Sequence, residues 1–122
     1  MTLEELYAKI GGDYDQARRV LRMDKLIDKH IRKLTNNGVV EQLIKAGENM
    51  DPTQLFETAH AAKGVCANLG LKALSDMASA IADEFRPGNA RALTDEQVKQ
   101  RLTAVAELYD RTARGIQQYV EG

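Results

Sequence analysis

The chain has 122 residues, 43 % of them hydrophobic and 29 % charged, with a net charge of -1. This balance suits one folded domain, not a disordered segment, and it argues against a broad basic surface for nucleic acid. No apolar run approaches the roughly 18 residues needed to cross a bilayer, and the acidic start Met1-Thr2-Leu3-Glu4-Glu5 lacks a signal-peptide pattern.

Cys66 is the single cysteine, which excludes an intrachain disulfide and a cysteine-rich zinc site and fits a reducing, cytoplasmic setting. The pattern is helical throughout, with no sustained strand-like alternation. Thr2 and Glu5 form a capping box for a short first helix ended by Gly11-Gly12. Asp13 and Gln16 cap a second helix expected to reach about Leu34, with Val20, Met23, Ile27, Ile31 and Leu34 as its buried stripe. Asn36-Asn37-Gly38 signals a turn, and Val39 to about Asn49 makes a third helix with Val40, Leu43 and Ile44 on one side.

Asp51 as N-cap and Pro52 in the first turn open a fourth helix, closed by Gly70. A fifth runs from Leu71 to about Phe85 on a stripe of Leu74, Met77, Ala78, Ile81 and Phe85. After the loop Arg86-Pro87-Gly88-Asn89, Thr94 and Gln97 cap a long last helix, whose stripe is Val98, Leu102, Val105, Tyr109, Thr112, Ile116 and Tyr119. Short connections make successive helices antiparallel neighbours. The expected fold is all-α: an up-and-down antiparallel four-helix bundle with additional N-terminal helical segments, in one domain over residues 1–122.

The fourth helix carries the chemistry. At about 100° per residue, Leu55, Thr58, Ala62, Val65, Cys66 and Leu69 fall opposite His60 and form the core side. Phe56, Lys63, Gly64 and Ala67 share the face of His60, so packing should hold the imidazole outward. Small residues, Ala59, Ala61, Gly64 and Ala67, surround it, and Phe56 places an aromatic ring on the polar side. A mid-helix glycine costs about 1 kcal/mol relative to alanine. Close helix packing could explain Gly64, but its place on the outer face favours steric access for a partner.

Ala59-His60-x-x-Lys63-Gly64 followed by Asn68-Leu69-Gly70 resembles the histidine-containing phosphotransfer (HPt) family of two-component signalling. Gly11-Gly12-Asp13 before a helix, and Asp51 nine residues ahead of the histidine, extend the resemblance over most of the chain. Ala62 stands where family members often have a larger aliphatic residue, and Asn36-Asn37-Gly38 breaks a region that is commonly one longer helix.

The resemblance implies a four-helix bundle with the phosphoacceptor histidine exposed mid-helix. His60 would accept a phosphoryl group on its distal ring nitrogen from an aspartyl phosphate and pass it to another receiver domain. Lys63 would steady the phosphoryl oxygens, Gly64 would leave room for the approach, and Phe56, Glu57 and Ala67 would form part of the docking surface. The implied partners are response-regulator receiver domains and a hybrid histidine kinase. The chain would bring no cofactor of its own, with Mg²⁺ on the receiver.

No nucleotide-binding glycine pattern is present, so the chain is expected to be a phosphocarrier, not an autonomous kinase. A cytoplasmic monomer is expected, bound to neither nucleic acid nor membrane, and the length and starting Met1 favour a free-standing protein. One alternative is a receiver-binding interaction module without phosphate transfer. A metal enzyme is a weaker one, because Glu57 and His60 form a single outward Glu-x-x-His and His30 is the only other histidine. A helical bundle without any site is the third.

Overall fold

The computed structural model describes residues 1–122. Seven helices and no strand make up the chain: α1 Leu3–Ile10, α2 Tyr14–Leu21, α3 Asp24–Leu34, α4 Val39–Asn49, α5 Pro52–Asn68, α6 Lys72–Phe85 and α7 Asp95–Glu121. Their starts follow local chemistry. Thr2 with Glu5 and Thr94 with Gln97 form reciprocal capping boxes, satisfying amides that a helix N-terminus leaves without partners. Asp13 accepts from the Gln16 amide at 3.0 Å, though the Gln16 side chain does not reciprocate and takes Arg19 instead.

The helices α4 to α7 close a four-helix bundle, each packing on its neighbours in sequence and α4 meeting α7. The α5–α6 turn spans only residues 69–71, which makes these two helices antiparallel and closely paired along their length. Gly70 permits that turn twice over. Its φ of 69° is left-handed, and a Cβ there would sit 2.1 Å from the Asp13 carbonyl oxygen. The Asp13 amide in turn donates to the Gly70 carbonyl at 2.8 Å, so the start of α2 is stitched to this turn.

A connected cluster of 25 buried apolar residues draws on all seven helices, so α1 to α3 share the bundle's core. Tyrosine hydroxyls fasten them further. Tyr7 on α1 donates to the Leu69 carbonyl at 2.7 Å, and Tyr119 on α7 donates to Asp28 on α3 at 2.6 Å. Tyr109 donates to Glu41 on α4. Tyr109 and Tyr119, on the expected apolar stripe of the last helix, are only partly buried and commit their hydroxyls to carboxylates on neighbouring helices. Aromatic bodies bury well, and their polar tips then need a partner.

The expected single helix from Asp13 to Leu34 is two. The chain breaks at Arg22, whose φ of 75° is left-handed, and restarts at Asp24. Two interactions favour the break. The Asp24 carboxylate accepts from the Tyr14 hydroxyl at 2.5 Å and from Arg18 at 3.0 Å, folding the start of α3 back on α2. Ile27, Ile31 and Leu34 still reach the core, whereas Val20 and Met23, expected beside them, are 39 % and 50 % exposed. Met77, also read as core, is partly buried against it. No glycine or proline marks the break, and the apolar spacing runs straight through it. The turn at Asn36-Asn37-Gly38 is as expected, between α3 and α4. No helix is long and apolar enough to cross a membrane.

Candidate functional site

The helix α5 is anchored at both ends. The Asp51 carboxylate accepts from the Thr53 amide at 2.9 Å and the Gln54 amide at 3.3 Å, with Pro52 in the first turn. At the far end the Leu71 amide donates to the Cys66 carbonyl at 2.8 Å, past the left-handed Gly70. Between these ends Leu55, Ala59, Ala62 and Cys66 are buried, with Leu69 just beyond. Ala59 therefore belongs to the core and not to the surround of the imidazole, while Thr58 and Val65, expected on the inner face, are only half-buried at its margins.

On the outer face His60, Glu57, Gly64 and Ala67 are exposed, and Phe56 and Lys63 half-buried. All six residues singled out from the sequence thus lie on one side of α5. A Cβ added at Gly64 would meet no atom within 4 Å. The packing explanation for this glycine therefore fails, since no neighbouring helix presses on it.

His60 forms no hydrogen bond to another protein group. Its ring stacks on Phe56, with centroids 5.7 Å apart and planes inclined by 20°. Phe56 is less open than its position on the wheel suggests. Its ring packs against the core margin and lies under the Arg86 guanidinium, 5.4 Å from the ring centroid. Arg86 also pairs with Asp83 at 3.1 Å. By sequence alone this arginine is only the first residue of a loop. It follows the last turn of α6, and only the antiparallel register of α6 on α5 brings it to Phe56.

Ser75 is a second residue the sequence reading passed over. From α6 its hydroxyl donates to the Lys63 backbone carbonyl at 3.0 Å, tying α5 to α6 at the step before Gly64. The Lys63 ammonium itself takes part in no ion pair. The face therefore presents an unbonded imidazole, an uncommitted cation one turn on and a gap at Gly64, fixed from behind by the core and by Ser75.

Cys66 is on the opposite side, and burial pushes its thiol up to about 12, so it is a packing residue and not a nucleophile. Glu57 and His60 have no third metal-binding side chain near them, and no such cluster of three His, Cys, Asp or Glu occurs anywhere in the molecule. Away from the site, Glu84 at the end of α6 accepts from the Leu93 amide at 2.8 Å and the Ala92 amide at 3.1 Å, fastening the loop that leads to α7. Those amides, with Arg91, hold its carboxyl below the usual range.

Comparison with known proteins agrees with this geometry. The family model described as the Hpt domain matches residues 3–114. No curated protein and no solved structure gives a significant match.

Proposed function

The chain belongs to the Hpt domain family, and from that premise we propose that it is a phosphorelay intermediate whose phosphoacceptor is His60. Hpt domains serve histidine phosphotransfer in two-component phosphorelays, as phosphocarriers and not kinases, and they engage receiver domains and histidine kinases. In the proposed reaction the lone pair of the distal ring nitrogen, Nε2, attacks phosphorus in the aspartyl phosphate of a receiver. A P–N bond forms as the P–O bond to the aspartate breaks, and the carboxylate leaves with the electron pair. The reverse step delivers the group to a second receiver.

The observation that carries this reading is the bare imidazole beside Gly64, where no side chain obstructs an incoming receiver. Phosphoryl transfer depends on alignment and on stabilising charge on the equatorial oxygens. Phe56 restricts the ring by stacking, and Lys63 supplies a point charge free of any carboxylate. Phe56, Glu57 and Ala67 border the imidazole and form the contact surface. Mg²⁺ and the remaining catalytic groups belong to the receiver, and the chain acts without a cofactor of its own, as a cytoplasmic monomer.

Incubation with a phosphorylated receiver domain is expected to transfer acid-labile phosphate to the chain, and His60→Gln to abolish it while leaving the fold intact. Receiver binding without any labelling of the wild-type chain would instead assign a non-phosphorylated interaction module. Equal labelling of the His60→Gln protein would refute His60 as the acceptor.

A further inference from the structure

The elbow between α2 and α3 carries charge and apolar surface that the fold does not use. Residues 16–33 hold seven Lys and Arg against two Asp, a balance of +5 in a chain whose net charge is -1. Both aspartates are already taken, Asp24 by Arg18 and Asp28 by Arg32. Arg19, Arg22, Lys25, Lys29 and Lys33 are left exposed and without a carboxylate. Within this basic region Val20 and Met23 are 39 % and 50 % exposed. The other large hydrophobic residues exposed to this degree are Met1 and Val120, both at chain ends. The elbow is therefore the one internal site where the chain leaves large apolar side chains uncovered, and it rings them with unpaired cations. Arg22 also holds a left-handed backbone that glycine would adopt without strain.

This surface runs on from the His60 face. Ala67 lies two turns beyond His60 on the same side of α5. Ala67 and Gln16 both line one open groove, together with Asp13, Gly70, Lys72, Ser75 and Asp76. The Gln16 side chain then accepts from Arg19 at 2.8 Å, which leads onto the elbow. A partner that covers both His60 and this groove meets Gln16, to which Arg19 is bonded.

We propose that Arg19, Val20, Arg22, Met23 and Lys25 form a second docking point for the receiver, and that it takes an acidic surface with an apolar centre on that partner. This inference rests on the phosphorelay reading and adds to it the feature by which receivers would be told apart. Rim charges of this kind chiefly set the rate of encounter and exclude partners of like charge. A protein partner fits better than a membrane. The α2 helix has only eight residues, and Asp15 and Asp24 bracket its exposed side, so it offers no long apolar face to lie in a bilayer.

The test uses the full chain and the receiver domains of the same organism, each phosphorylated and screened for binding and transfer. Arg19→Glu/Arg22→Glu/Lys25→Glu is compared with wild type, alongside the milder Arg19→Gln/Arg22→Asn/Lys25→Gln. Circular dichroism verifies the fold of both. For the receiver that binds wild type most tightly, reversal is expected to raise KM about tenfold at low salt with kcat unchanged, neutralisation about threefold, and added salt to erase the difference.

Labelling of His60 by phosphoramidate, which needs no docking, should be the same in all three proteins. Unchanged KM and binding in both variants would overturn the inference, as would binding to no receiver. So would charge-dependent binding of the elbow to phosphatidylserine vesicles, or loss of self-association as the only effect of the substitutions. Receiver binding that falls on charge reversal, with no phosphate ever reaching the chain, would refute the relay and leave the docking surface standing.

Discussion

The aromatic side chains at the two ends of the chemistry are held in opposite ways. Tyr7, Tyr109 and Tyr119 each spend their hydroxyl on a neighbouring element, at the Leu69 carbonyl in the α5–α6 turn, at Glu41 on α4 and at Asp28 on α3. On the outer face of α5, Phe56 and His60 hold each other by ring stacking alone, with no hydrogen bond to the imidazole. A hydrogen bond to the ring would orient it but would also occupy a nitrogen, and stacking restrains the ring with both nitrogens free. The bundle thus fixes its scaffold with polar contacts and leaves the His60 ring without a hydrogen-bond partner.

Substitutions on each side should separate cleanly. Among substitutions that keep His60, the largest effect is expected at Gly64. Gly64→Leu should slow transfer about a hundredfold, the scale at which misplacement of reacting groups acts. Gly64→Ala should stabilise the fold by about 0.5–1 kcal/mol, since a helical glycine is replaced where a Cβ meets nothing, and still slow transfer. Paired denaturation and stopped-flow measurements would show this opposition, and faster transfer by the alanine variant would contradict the role given to the gap. Lys63→Ala should lower kcat about tenfold with little change in receiver binding if, as proposed, its charge acts on the phosphoryl oxygens. A change in binding alone would make Lys63 a docking residue.

The smallest effect belongs to the tyrosine side. Tyr119→Phe should cost about 1 kcal/mol of stability and leave transfer untouched. It also carries a pH signature. The Tyr119 hydroxyl, with Arg32 behind it, holds the Asp28 carboxyl below the usual range, and Tyr119 itself is pushed up to about 12 by burial and by Asp28. A carboxyl depressed in the folded state lends stability above its ordinary value near 4. That stability is lost as pH falls through the depressed value. Urea denaturation between pH 5 and pH 3 should therefore show a smaller acid loss in Tyr119→Phe than in wild type. An identical loss would remove Asp28 from the account.

Much of this was legible in the sequence. Caps at Thr2, Asp51 and Thr94 lie where Ser, Thr or Asp meets a polar residue two or three positions on, and these signals are local. The side of α5 that carries His60 followed from helical period alone. What the sequence hid depends on contacts distant along the chain. The break at Arg22 comes from Asp24 meeting Tyr14 and Arg18, against an apolar spacing that continues into Met23. Arg86 and Ser75 join the site only through the register of α6 on α5. The tyrosine hydroxyls likewise find partners up to 91 residues away.

The central claim is that one open imidazole takes the phosphoryl group. It is tested most directly by phosphorus–nitrogen correlated NMR on ¹⁵N-histidine-labelled protein, after transfer from a phosphorylated receiver. The account expects a single coupled signal, from Nε2 of His60, with His30 unchanged. Phosphorus coupled to His30, or phosphate on the chain with no histidine coupling at all, would contradict it.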